Sequence, residues 1–125
     1  MHYIDLLIFV LQIKCTDYVS TSPYVEYLYM FLFTHSDQSN SSVEKAGILG
    51  SMSMRLLPVD DKCSLRGEIL KKAVQDDIEK GLIPCYVVAT LGTTSTCAFD
   101  NVDEIGQICK EYDMWLHIDA AYAGR

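Results

Sequence analysis

The sequence predicts an α/β domain, a mainly parallel sheet flanked by helices. Two observations carry this expectation. From Tyr29 onward, short apolar runs alternate with amphipathic stretches, which is the signature of βαβ units. The apolar runs are also rich enough in apolar residues to read as strands buried on both faces, which helices must then cover.

The elements follow in chain order. A first strand is expected over residues 29–33. A helix should begin at Ser41, where Ser41 and Glu44 have the spacing of a capping box, and run to about Leu49, with Gly50 ending it. The second strand spans residues 54–59. A second helix spans 65–80, with Ile69, Leu70, Ala73, Val74 and Ile78 on one face, a charged opposite face, and Gly81 as its stop. The third strand is 86–90. A third helix, 102–112, aligns Val102, Ile105, Ile108, Cys109 and Tyr112 in one apolar stripe, and a fourth strand covers 115–118. No internal repeat or low-complexity tract interrupts this order.

The first 31 residues form an unassigned segment, and residues 32–125 form one partial domain. Residues 4–13 are apolar but make a poor signal sequence, because Asp5 interrupts them, no basic residue precedes them and no small-residue cleavage site follows. Residues 24–33 carry Glu26 and fall short of the roughly 20 residues a membrane span needs. No membrane association is expected. The net charge of −7 and the scattering of ten Lys and Arg residues argue against nucleic acid as a partner. Five cysteines without C-x-x-C spacing fit neither a zinc site nor a disulfide framework, so a reducing, cytoplasmic setting is the simpler reading.

Ligands of open α/β sheets collect beyond the C-terminal ends of the strands. Three loops end there. The first, 35–42, is densely polar. The second, 91–100, offers Gly92 and four hydroxyls in Thr93-Thr94-Ser95-Thr96, a cradle for an oxygen-rich ligand that ordinary turn chemistry explains nearly as well. The third begins at Asp119, whose carboxylate is delivered directly by the apolar strand before it; taken alone, such an aspartate is more often a turn cap. His117 is by default a hydrogen-bonded strand residue. Neither G-x-G-x-x-G nor a Walker sequence is present, so a generic nucleotide-binding domain lacks its fingerprint. No serine stands in a nucleophile elbow.

Together the loops are far more specific than any one alone. Ser36-Asp37-Gln38-Ser39-Asn40-Ser41-Ser42-Val43-Glu44-Lys45-Ala46-Gly47, then Val88-Ala89-Thr90-Leu91-Gly92-Thr93-Thr94, then Trp115-Leu116-His117-Ile118-Asp119-Ala120-Ala121-Tyr122-Ala123-Gly124 resemble, in order and spacing, the group II decarboxylases dependent on pyridoxal 5'-phosphate (PLP). The nearest branch is that of the aromatic-L-amino-acid (dopa) decarboxylases, and the similarity covers about residues 33–124. The resemblance implies part of the large PLP-binding domain of a fold-type I, aspartate aminotransferase-like enzyme, a homodimer acting on aromatic amino acids. It also implies that Asp119 pairs with the pyridine nitrogen, that Ala121 lies under the ring, and that Thr94 helps to hold the cofactor. His117 would stand behind them.

Two departures qualify it. Typical members carry histidine at the position of Asn40, stacked over the ring and available for proton transfer, which an amide cannot perform near neutral pH. A branch with asparagine there, the aromatic-acetaldehyde synthases, couples decarboxylation to oxidative deamination of dopa-like substrates. The resemblance therefore favours that subtype over a plain amine-forming decarboxylase. The Schiff-base lysine of the family would lie beyond the end of this sequence, which stops in the third motif. The expectation is a fragment that is inactive alone, or a truncated product with no catalysis.

Overall fold

The computed structural model describes residues 31–50 and 52–124, so the apolar stretch 4–13 and the unassigned segment up to residue 30 lie outside the described residues. Among the described residues, four strands form one sheet: β1 (Phe31–Ser36), β2 (Ser53–Leu57), β3 (Ile83–Thr90) and β4 (Trp115–Asp119), in the order β2-β1-β3-β4. Every pairing is parallel. Three helices connect them: α1 (Ser41–Leu49), α2 (Gly67–Glu79) and α3 (Val102–Glu111). The predicted α/β architecture is therefore present, with each expected element in its place in the chain.

Two apolar layers sandwich the sheet. Val87 and Ala89 of β3 pack with Leu70, Val74, Ile105, Ile108 and Cys109 beneath α2 and α3. Tyr86 and Val88, pointing the opposite way, pack with Phe31, Phe33, Val43 and Ala46 beneath α1. The period-two alternation of β3 thus feeds both layers. Removing each of the Val, Leu, Ile and Phe side chains among them from water contributes about 1.5–3 kcal/mol. β1, in the middle, is buried throughout.

The expectation that helices cover both faces of all four strands holds at the centre and fails at the margins. Trp115 and Ile118 of β4 remain 44% and 42% exposed, and Leu56 of β2 is also exposed. β2 and β4 are the outer strands of the described sheet, so fewer elements reach them.

Several boundaries differ from those predicted, each for a local reason. β2 stops at Leu57 because Pro58 has no N–H to give the ladder. β3 begins earlier, at Ile83, and a register shift opposite Leu32 and Phe33 accommodates Pro84 within a central strand. The cap of α1 is Asn40, one residue before the predicted Ser41: its side chain accepts a hydrogen bond from Ser42 N–H at 3.0 Å.

α2 starts at Gly67 rather than Leu65. Leu65 is fully buried in the connection ahead of the helix, its N–H donating to Asp100 at 2.8 Å. Glu104 takes the place of a side-chain cap by accepting from Gly67 N–H at 2.9 Å while it pairs with Arg66. On the apolar face predicted for α2, Ile78 is instead 47% exposed. Asp77, from the face expected to be charged, is buried and pairs with Arg55 at 3.3 Å. α2 ends as predicted next to Gly81, whose φ of +77° suits glycine.

Candidate functional site

In the sheet order, β1 leads to β2 on one side while β3 lies on the other, so the chain reverses its direction of travel between β1 and β3. The connections after β1 and β3 consequently diverge, α1 running over one face and α3 over the other. A crevice opens at the strand ends between them. It is a cleft of about 570 Å³ lined by Asn40, Ser42, Thr90, Gly92, Thr93, Thr94, Cys97, Asp119, Ala121 and Tyr122. All four residues singled out from sequence, Asn40, Thr94, Asp119 and Ala121, border it.

Asn40 is fixed by two hydrogen bonds. Its Oδ1 accepts from Ser42 N–H at 3.0 Å, which leaves Nδ2 to donate to Thr94 Oγ1 at 3.0 Å. The pair joins the loop after β1 to the loop after β3, across 54 residues of chain. Because Thr94 accepts from Asn40, its own hydroxyl proton can be directed to an oxygen ligand.

The hydroxyl cradle predicted over residues 93–96 is only partly a cradle. Thr93 is buried and serves the loop itself, with Oγ1 2.7 Å from Thr96 Oγ1 and accepting from Ala98 N–H at 2.9 Å. Gly92 has a φ of +85°, and a Cβ there would stand 2.5 Å from Tyr122 Cδ1. Glycine thus lets the third loop lie directly on the second.

Asp119 ends β4, and its carboxylate accepts from Ala121 N–H at 3.2 Å while its carbonyl accepts from Leu91 N–H at 2.8 Å. The turn-capping role is real, and it coexists with a position on the cleft wall. His117, two residues earlier, lies outside the cleft lining and stacks on Tyr86 at 6.2 Å between centroids and 15° between planes. Burial holds its pKa below the usual imidazole value, opposed by the nearby Asp119 charge. The polar loop expected to begin at His35 begins later, because His35 and Ser36 are buried strand residues. His35 Nδ1 lies 3.0 Å from Ser36 O, and burial lowers its pKa too.

Sequence reasoning passed over Thr90. Its hydroxyl is buried with no hydrogen-bond partner among the described residues, although the residue lines the cleft. The available signal was a lone polar residue closing the apolar run Val87-Val88-Ala89. Asp100 was missed as well: its Oδ2 accepts from Thr90 N–H at 2.7 Å and its Oδ1 from Leu65 N–H. Burial pushes the Asp100 carboxyl up, against those two hydrogen bonds.

The cleft suits the ring end of a flat heteroaromatic cation with oxygen substituents. A carboxylate can face a ring N–H, a hydroxyl can reach an oxygen, alanine leaves room for a planar face, and an orphaned buried hydroxyl awaits a partner. Among the described residues that line it none is cationic, so any charge neutralisation of a phosphate group would come from elsewhere.

A parallel α/β sheet with an acidic, hydroxyl-bearing cleft at its switch point defines a coenzyme-binding α/β domain. Residues 24–125 match the pyridoxal-dependent decarboxylase conserved domain. Over 89 residues, 71% of this chain, the sequence is 65% identical to a 3,4-dihydroxyphenylacetaldehyde synthase of Aedes aegypti, covering 17% of that protein. Over the same length and share of this chain it is 60% identical both to the aromatic-L-amino-acid decarboxylase of Manduca sexta, covering 18% of it, and to the histidine decarboxylase of Homo sapiens, covering 13%. The fold superimposes on Oryza sativa TDC solved with PLP at a TM-score of 0.84 and 32% identity, over 97% of this chain and 26% of that one. The chain belongs to the pyridoxal-dependent decarboxylase family, whose cofactor is PLP, and its fold is that of the fold-type I enzymes. It spans less than a fifth of the length of each of these three relatives.

Proposed function

We propose that this chain supplies the ring-binding part of an aromatic-acetaldehyde synthase: a PLP-dependent carboxy-lyase that couples decarboxylation of a dopa-like amino acid to oxidative deamination. The observation that carries this reading is Asn40, a non-titrating amide on the cleft wall held rigidly by Ser42 and Thr94, at a position where the resemblance leads one to expect histidine. The identity to the Aedes aegypti synthase supports it.

PLP, when bound, supplies the electron sink that takes up the pair left as carbon dioxide departs. Asp119 would hold the proton on the ring nitrogen, since a carboxylate beside that nitrogen favours its charged form. Thr94 would donate to a cofactor oxygen while still accepting from Asn40, and Ala121 would leave space for the ring face. Asn40 can orient but can neither give nor take a proton near neutrality. Asn40 would therefore supply no proton to the substrate carbon from that side, and dioxygen would be the alternative two-electron acceptor. The overall balance is amino acid plus dioxygen plus water to aldehyde, carbon dioxide, ammonia and hydrogen peroxide, with dioxygen reduced by two electrons.

The test is Asn40→His in the full-length protein. Amine should rise and peroxide should fall, and an unchanged product ratio removes the assignment. The identity of 60% both to a histidine decarboxylase and to an aromatic-L-amino-acid decarboxylase supports a second reading, an ordinary amine-forming enzyme. Under that reading the unmodified protein releases no peroxide. The full-length protein is further proposed to be a cytoplasmic homodimer, which sedimentation and fractionation would check.

A further inference from the structure

Thr90 is 4% exposed, and its hydroxyl is sealed from solvent without a hydrogen-bond partner among the described residues. A buried hydroxyl left unpaired destabilises a fold, and native proteins rarely tolerate one without a reason. Packing does not supply the reason, because valine would fill the same space without the penalty. Nor can the backbone shift to find a partner. Thr90 N–H donates to Asp100 Oδ2 at 2.7 Å, and Thr90 O accepts from Asp100 N–H at 3.0 Å.

What the structure does place beside Thr90 is Asp119. The two are direct partners in the β3–β4 ladder, and both line the cleft. Paired residues of adjacent parallel strands leave the same face of the sheet, with backbones about 4.8 Å apart. A turn about χ1 therefore carries the Thr90 O–H toward the neighbouring carboxylate. We infer that Thr90 is a positioning residue for Asp119: its hydroxyl donates to that carboxylate when a protonated ring nitrogen occupies the cleft, fixing the plane of the acid against the ring. The inference rests on the reading of Asp119 as the counter-ion of the ring.

The experiment is a PLP titration of the full-length apoprotein, followed by coenzyme fluorescence, together with apoprotein melting. Thr90→Val should weaken PLP binding about tenfold or more, the usual scale for a hydrogen bond to a charged group, while the apoprotein melts at the same temperature or higher. Thr90→Ser, which keeps the hydroxyl and loses only the methyl, should restore the affinity. In an Asp119→Ala background, Thr90→Val should have no further effect on affinity. Unchanged affinity in Thr90→Val, or Thr90→Ser as weak as Thr90→Val, overturns the inference and leaves the counter-ion reading standing. Asp119→Ala binding PLP as tightly as the unmodified protein overturns the counter-ion reading, and this inference with it.

Discussion

Single residues in this cleft carry more than one duty, and this shapes what substitution does. Asn40 caps α1 and bridges to Thr94, so its exchange for histidine alters a helix terminus as well as a proton inventory. A fall in stability of about 1 kcal/mol, the usual worth of a cap, is thus expected alongside the product change. Gly92 is the sharper case. Its φ of +85° disfavours any side chain, and a Cβ would meet Tyr122 at 2.5 Å. Gly92→Ala should therefore cost about 1–3 kcal/mol and push Tyr122 off the loop it covers. Chemical denaturation measures the first effect, and tyrosine accessibility to iodination the second. An alanine variant as stable as the original would show that the two loops are not in contact.

At the scale of elements, one carboxylate ties three segments together. Asp100 accepts from Leu65 ahead of α2 and from Thr90 at the end of β3, and its own N–H donates to Thr90 O. The loop over residues 91–99 is thereby closed at its base, which sets where Thr94 meets Asn40. Asp100→Ala leaves two buried N–H groups unpaired and should destabilise by roughly 1–3 kcal/mol for each, with PLP affinity falling because the loop loses its anchor. Asp100→Asn retains one acceptor and should fall between. Equal stability of all three forms in urea would refute the clamp. None of this was legible in the sequence, where Asp100 reads as one more polar loop residue; a hydrogen bond spanning 35 positions leaves no local pattern. Elements were legible where periodicity speaks alone, as in the stripe of α3 and the apolar run of β3. They were misjudged where tertiary contacts decide, as when Arg55 draws Asp77 inward and Ile78 turns out. The site residues were legible only through the family-like order of three loops, because Asp119 and Thr94 each have a sufficient explanation as turn residues.

At the largest scale, the described residues form a sheet with a core on each face, and the layer beneath α2 and α3 holds a titratable group that reports on its integrity. Cys109 is buried there among Leu70, Ile105 and Ile108, and burial pushes its thiol from 9.0 up to about 11. Below pH 9 the thiol is protonated both in the folded and in the unfolded chain, and its contribution to stability is fully present. Between pH 9 and about 11 the unfolded chain releases the proton while the folded one retains it, so stability falls as pH rises. Above that range both forms are ionised and the loss is complete, at roughly 2–3 kcal/mol. Tyrosines and lysines titrate over the same range, so the measurement is a difference. Stability of the full-length protein is followed against pH beside that of Cys109→Ala. The alanine variant should be less stable by a constant amount at neutral pH, because it leaves a small void, and the gap should narrow steadily above pH 9 as only the original loses its thiol contribution. A gap that stays constant up to pH 11 would mean that water reaches Cys109, and that the two helices do not close over this face of the sheet.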